Sequence, residues 1–180
     1  MNSDNVLSAD NQQGRIRCTI DPWYVAGFVD GEGSFHIAIY KDIRMKTQWK
    51  IIPEFHISQR FSSRGVLDTI VEFFQCGYVK ANHATNPRDQ TYVYVVRNRD
   101  NLLQRIIPFF RKYELYTEKA HDFETFARIV EMMANGAHRT NNGCRQIMNL
   151  AYTMNGSGRY RRNIHEISIV EPSETIRETR

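Results

Sequence analysis

Cysteine is scarce: Cys18, Cys76 and Cys144 are an odd number without CxxC spacing. That pattern excludes a disulfide framework and a zinc site, and leaves plain reduced thiols. No apolar run approaches the roughly 20 residues needed to span a bilayer. The polar, acid-bearing stretch from Met1 to Gln13 is unlike a signal or transit peptide, so an intracellular protein is expected. No Ser/His/Asp order, phosphate-cradling glycine loop or zinc spacing competes for catalysis, and the six histidines are spread out. Acidic residues are outnumbered, 20 against 24 Lys and Arg, giving a net charge of +4 and a pI near 9.0. That balance suits a polyanionic partner but fits a mildly basic soluble protein equally well. With 41% hydrophobic and 12% aromatic residues in 180, the chain is long enough for one substantial core.

Periodicity predicts a helix followed by two strands. Asp21 can cap the helix and Pro22 fits its first position, while Trp23, Tyr24, Phe28 and Val29 give it packing surface. Phe35, Ile37 and Ile39 then alternate with Ser34, His36, Ala38 and Tyr40, the signature of a strand with one buried face. After a polar turn, Ile51, Pro53, Phe55 and Ile57 alternate with Lys50, Ile52, Glu54, His56 and Ser58. Ser62 or Ser63 can cap a helix striped by Val66, Leu67, Ile70, Val71 and Phe74 and ended by Gly77. A long-tipped hairpin joins 78–82 to 91–97, with Tyr92 and Tyr94 able to take either face. Three helical stripes close the pattern: Leu102, Leu103, Ile106 and Ile107, stopped by Pro108; Ala120 to Val130, stopped by Asn135-Gly136; and Cys144, Ile147, Met148 and Ala151. Residues 1–20 and 166–180 lack periodicity and read as flexible tails flanking one domain, 21–165.

The first helix ends on Asp30 and Glu32, among Gly27, Gly31 and Gly33. A helix C-terminus carries partial negative charge, so two acids there are disfavoured unless a cation compensates, and a divalent metal would do so. Ala26, Gly27 and Gly31 leave backbone uncovered, the mark of a close helix-helix contact.

The stretch Tyr24-Val-Ala-Gly27-Phe-Val-Asp30-Gly31-Glu32-Gly33-Ser34-Phe35 resembles the signature of the LAGLIDADG homing endonucleases and their maturase relatives. Phe55-His-Ile-Ser-Gln59-Arg60, Ile107-Pro108-Phe109-Phe110 and Leu115-Tyr-Thr-Glu-Lys119-Ala-His-Asp122-Phe123 look like further segments of that family, so about residues 22 to 155 are covered. The resemblance implies an α+β domain of order αββαββα, with an antiparallel DNA-binding sheet and an extra C-terminal helix. It also implies site-specific, Mg²⁺-dependent cleavage of a long, roughly palindromic DNA duplex, leaving 3′ overhangs, with Mn²⁺ able to substitute. One copy of the signature implies a homodimer, with Tyr24, Ala26, Gly27 and Asp30 at its interface. Alternatives on the same fold are an intron-RNA maturase and a non-catalytic DNA-binding regulator. The place of work would be with the genome, in a bacterial cytoplasm or an organelle matrix.

Carried over residue by residue, the resemblance makes Glu32 a metal ligand, joined by the Gly31 carbonyl, and gives Asp30 a packing and capping role. Gln59 matches the position that helps place the attacking water. Lys119 matches the active-site lysine, with Arg111 and Lys112 nearby in sequence. Arg60 and Arg64 are candidates for phosphate contact or for simple solvated charge. The even-numbered sheet face, His36, Tyr40, Lys50, Glu54, His56 and Ser58, with Lys80 and Asn82, would supply the donors and acceptors of a β-ribbon reader of the major groove. Any half-exposed antiparallel sheet is polar on one side, which is the plainer account of those residues. Arg159-Tyr160-Arg161-Arg162 could reach phosphate or intron RNA.

Overall fold

The computed structural model describes residues 20–156 apart from Ala84 and Pro87. Cys18, the Arg159–Arg162 tract, most of the expected N-terminal tail, the C-terminal tail and the boundary at 165 lie outside the described residues. The fold is α+β. Asp21 caps α1 (Pro22–Glu32) as its chemistry predicts, Oδ1 accepting from the Trp23 and Tyr24 amides at 2.7 and 3.3 Å. The helix buries Val25, Ala26 and Val29. It passes without a loop into β1 (Gly33–Lys41). Gly33 permits that junction, because a Cβ there would lie 2.6 Å from Val29 Cγ1 and 2.8 Å from the Val29 carbonyl oxygen.

β2 (Trp49–Arg60) pairs antiparallel with β1 along its whole length, from Gly33 opposite Ile57 to Lys41 opposite Trp49. β4 (Thr91–Val96) lies on the other side of β2, and β3 (Tyr78–Ala81) is the far edge, so the sheet order is β1-β2-β4-β3. Register decides the face that the tyrosines take. Tyr92, Tyr94 and Val96 oppose Gln59, Ile57 and Phe55 and face the helices, while Val93 and Val95 oppose Ser58 and His56 on the outer face. Tyr94 is fully buried and donates its hydroxyl to the Cys76 carbonyl at 2.8 Å.

The helical layer departs from the sequence reading in three places. No side chain caps α2 (Arg64–Phe74), because a turn of 3-10 helix at Phe61–Ser63 feeds directly into it. Its end comes at Gln75, which takes the left-handed conformation before Gly77 can, while Gly77, at φ +79°, lets β4 approach. Pro108 does not stop a helix. α3 (Arg99–Asn101) widens into a π turn, Leu102–Ile106, and α4 (Ile107–Lys112) continues from it. Ile107 N–H bonds five residues back to Leu102, and the wide turn accommodates a ring that would otherwise clash with the preceding turn. α5 (Lys119–Ala134) and α6 (Asn141–Tyr152) complete the layer. The core lies between this layer and the odd-numbered face of β1 and β2. Phe35 is its hub, with ring centroids 5.2 to 5.5 Å from Phe55, Phe110, Phe123 and Phe126. Among the described residues no helix is long and apolar enough to cross a membrane.

Candidate functional site

The two acids at the end of α1 have different surroundings. Asp30 turns back to the segment before α5, where its carboxylate accepts from the Tyr116 amide at 3.0 Å, the Thr117 amide at 3.2 Å and the Thr117 hydroxyl at 2.7 Å. Partial burial pushes the Asp30 carboxyl up, but the Thr117 hydroxyl and the two amides outweigh it and hold the pKa below its ordinary value. Glu32 is exposed and makes no hydrogen bond or ion pair among the described residues.

Lys119 begins α5 at the same junction. Its ammonium donates to the Gly33 carbonyl at 2.5 Å and reaches the Gly31 carbonyl at 3.5 Å. The lysine therefore places one cation at the helix end, where the sequence alone suggested a divalent metal. The Thr117 hydroxyl links the two halves, bonding Asp30 and also accepting from the Lys119 amide at 3.2 Å. A cleft of about 380 Å³ opens beside the junction, lined by Asp30, Gly33, Lys119, Asp122 and Asn155 among others. Gln59 is half-buried, pairs with Tyr92 of β4 and lies two residues past Ile57, where the β1–β2 pairing ends opposite Gly33. The structure thus brings Glu32, Gly31, Gln59 and Lys119 to one end of the sheet. Arg111 and Lys112 end α4 instead, with Arg111 paired to Glu131 and Lys112 over the Tyr113 ring.

Of the four residues expected at a helix-helix contact, Tyr24 and Gly27 are exposed. Ala26 is 2% exposed and packed within its own chain, a correction that follows from its sharing the inner stripe of Val25 and Val29. Asp30 is occupied by the Thr117 turn. A Cβ built on Gly27 or Gly31 meets nothing within 4 Å, so the fold of one chain gives no reason for glycine at either place. Trp23 and Tyr24, each about half exposed, make this outer stripe of α1 apolar as well as flat.

On the outer face of the sheet, Tyr40, Lys50, Lys80 and Asn82 are exposed and His36, His56 and Ser58 half-buried. Glu54 is not the open reader expected there. It is 5% exposed and serves as a buried anion, with His56 Nε2 2.8 Å from Oε2 and Arg97 Nε paired to Oε1. The histidine contact is close but lies off the line of the ring N–H and is not an aligned hydrogen bond. Burial raises the Glu54 pKa, and His56 and Arg97 together overcome that and lower it. Arg97 was absent from the sequence-based set; its only signal was its place at the end of the 91–97 strand, in alternation with Val93 and Val95. Arg60 is exposed, whereas Arg64 is held 3.6 Å from Asp68 and lies over the Tyr92 ring, so its charge is directed toward α2 and β4. In the hairpin tip, the Thr91 hydroxyl, His83 and the Thr91 amide all bond Asp89 and together lower its pKa to about 2.

Comparisons with known proteins bear on the family and the fold. A family profile described as LAGLIDADG endonuclease matches residues 25–130. A probable intron-encoded endonuclease 2 of Neurospora crassa is 33% identical over 137 residues, 76% of this chain and 29% of that protein. The chain thus spans under a third of that relative. The crystal structure of the homing endonuclease I-TnaI is 38% identical and superimposes with a TM-score of 0.73 over 82% of this chain and 98% of its own. I-SmaMI, solved bound to an uncleaved DNA target in the presence of calcium ions, is 31% identical, with a TM-score of 0.72 over 77% of this chain and 46% of its own.

Proposed function

We propose that this chain, which belongs to the LAGLIDADG endonuclease family, is a site-specific homing endonuclease that acts as a homodimer on a long, roughly palindromic duplex. It cuts both strands by hydrolysis and leaves 3′ overhangs, working where its target genome lies, in a bacterial cytoplasm or an organelle matrix. The observation that carries this reading is the division of labour at the end of α1. Asp30 is spent on the fold, while Glu32 beside it is exposed and without a partner among the described residues.

The donor set fits a divalent cation. Glu32 and the Gly31 carbonyl are oxygen ligands at a helix end, where negative potential accumulates. One carboxylate and one carbonyl are too few by themselves, and no cluster of three or more acidic, His or Cys side chains is present among the described residues. A hard ion shared with substrate phosphate requires no such cluster. Magnesium, or manganese in its place, would when bound neutralise phosphate charge and activate water for in-line attack. Lys119 holds a positive charge beside the same carbonyls and has donor capacity left for a phosphate oxygen. Gln59 offers both a donor and an acceptor to orient water. Two copies are needed because two strand breaks require two such ends and this chain has one. The 46% share of the DNA-bound I-SmaMI chain that this fold covers supports the same arithmetic.

Glu32→Gln tests the reading. The amide keeps the side chain's size and loses its charge, so cleavage in Mg²⁺ should be lost while specific DNA binding in Ca²⁺ persists. A variant that cuts at near wild-type rate removes Glu32 from the site. A wild type that binds intron RNA and never cuts identifies a maturase instead.

A further inference from the structure

We propose that Arg97, held by the buried carboxylate of Glu54, reads a guanine in each half of the DNA target, and that Glu54 is its positioning residue. This rests on the DNA-binding reading above and names a contact within it.

Glu54 is the sixth of twelve residues in β2, at the middle of the sheet rather than its rim. On the outer face it stands opposite His36, with Ala38, Ile52 and Val95 at the adjoining positions, and Ala38 and Val95 are themselves buried. Burying a carboxylate there carries a desolvation cost that an ion pair commonly fails to recover. The charge is therefore better explained by what it holds than by stability. Val96 opposes Phe55, so Arg97 continues β4 to the level of Glu54. The closest approach of the pair is through the guanidinium Nε, on a side chain that is 44% exposed.

That arrangement selects among the partners of an arginine. A phosphate contact tolerates a mobile side chain at the rim, since the charge alone supplies most of the attraction. A guanine requires two parallel donors aimed at O6 and N7 in the major groove, and this fork is what the terminal nitrogens present once Nε is fixed. His56 flanks the other carboxylate oxygen and narrows the rotamers open to Glu54.

The test is selection of bound duplexes from a randomised target library with the full chain, for wild type, Arg97→Ala, Arg97→Lys and Glu54→Gln. The expected result is a guanine preference at one symmetric pair of positions that falls tenfold or more in both Arg97 variants, other positions being unchanged. Glu54→Gln should weaken the preference at that same pair and add nothing in an Arg97→Ala background. Thermal unfolding reports whether Glu54→Gln is folded; if it is not, Arg97→Lys, which keeps charge and loses the fork, carries the test. Arg97→Ala lowering affinity equally for all sequences, or Arg97→Lys retaining the guanine, overturns the assignment. A Glu54→Gln change at a different position overturns the positioning role. A wild type that selects no sequence at all overturns the DNA-binding reading beneath it.

Discussion

At the scale of single residues, Asp30 and Glu32 are separated by what each touches. Asp30 fastens the Tyr116–Lys119 turn to α1, so Asp30→Ala should cost about 1–3 kcal/mol through the donors it abandons. It should also slow cleavage by releasing Lys119, with specific DNA binding retained. Because the folded-state pKa of Asp30 is depressed, its contribution to stability is present above the ordinary carboxylate value of 3.8 and is lost as pH falls through the folded value. Acid unfolding of wild type and Asp30→Asn should therefore converge below about pH 4; curves that stay equally far apart there contradict the role. The cap at Asp21 was legible in sequence because cap and amides are two and three residues apart. The partners of Asp30 are 86 and 87 residues away, and no local pattern encodes them. Glu54 was misread for a related reason. Alternation assigned its face correctly, but its burial depends on Arg97, from another strand.

Among the elements, α1 has two apolar faces, and among the described residues the one of Val25, Ala26 and Val29 is buried while Tyr24 and Gly27 stay exposed. Gly27→Ala should stabilise the isolated helix and its domain by about 0.5–1 kcal/mol, since alanine is the better helix former and its methyl meets nothing within 4 Å among the described residues. The same methyl should weaken the dimer, and Gly27→Leu should yield monomers. Sedimentation equilibrium beside thermal unfolding at low concentration checks both signs, and an intact dimer in Gly27→Leu removes this interface. Strands were readable because period two needs only local order, whereas the run through Pro108 was not. A π turn is a property of the backbone ladder, and the apolar stripe of Leu102, Leu103, Ile106 and Ile107 looks the same with or without it.

For the molecule as a whole, Phe35 joins the site to the core: it stands two residues past Gly33 and its ring meets four other phenylalanines. Phe35→Ala should cost about 3–5 kcal/mol, read as a lower denaturation midpoint with loss of cleavage. Architecture was legible in the even and odd positions of β1 and β2, while the site depended on the way distant segments meet at the end of α1. The outer face of the sheet also bears on how such a protein can change its target over generations. Tyr40, Lys50 and Lys80 are exposed, so each can be exchanged singly and a shifting target can be followed one codon at a time. Arg97 cannot be exchanged alone, because that deprives a buried carboxylate of one of its two partners. Any lineage that crosses to a new base opposite Arg97 must change Glu54 with it, which makes the middle of the half-site the slowest part of the target to be relearned.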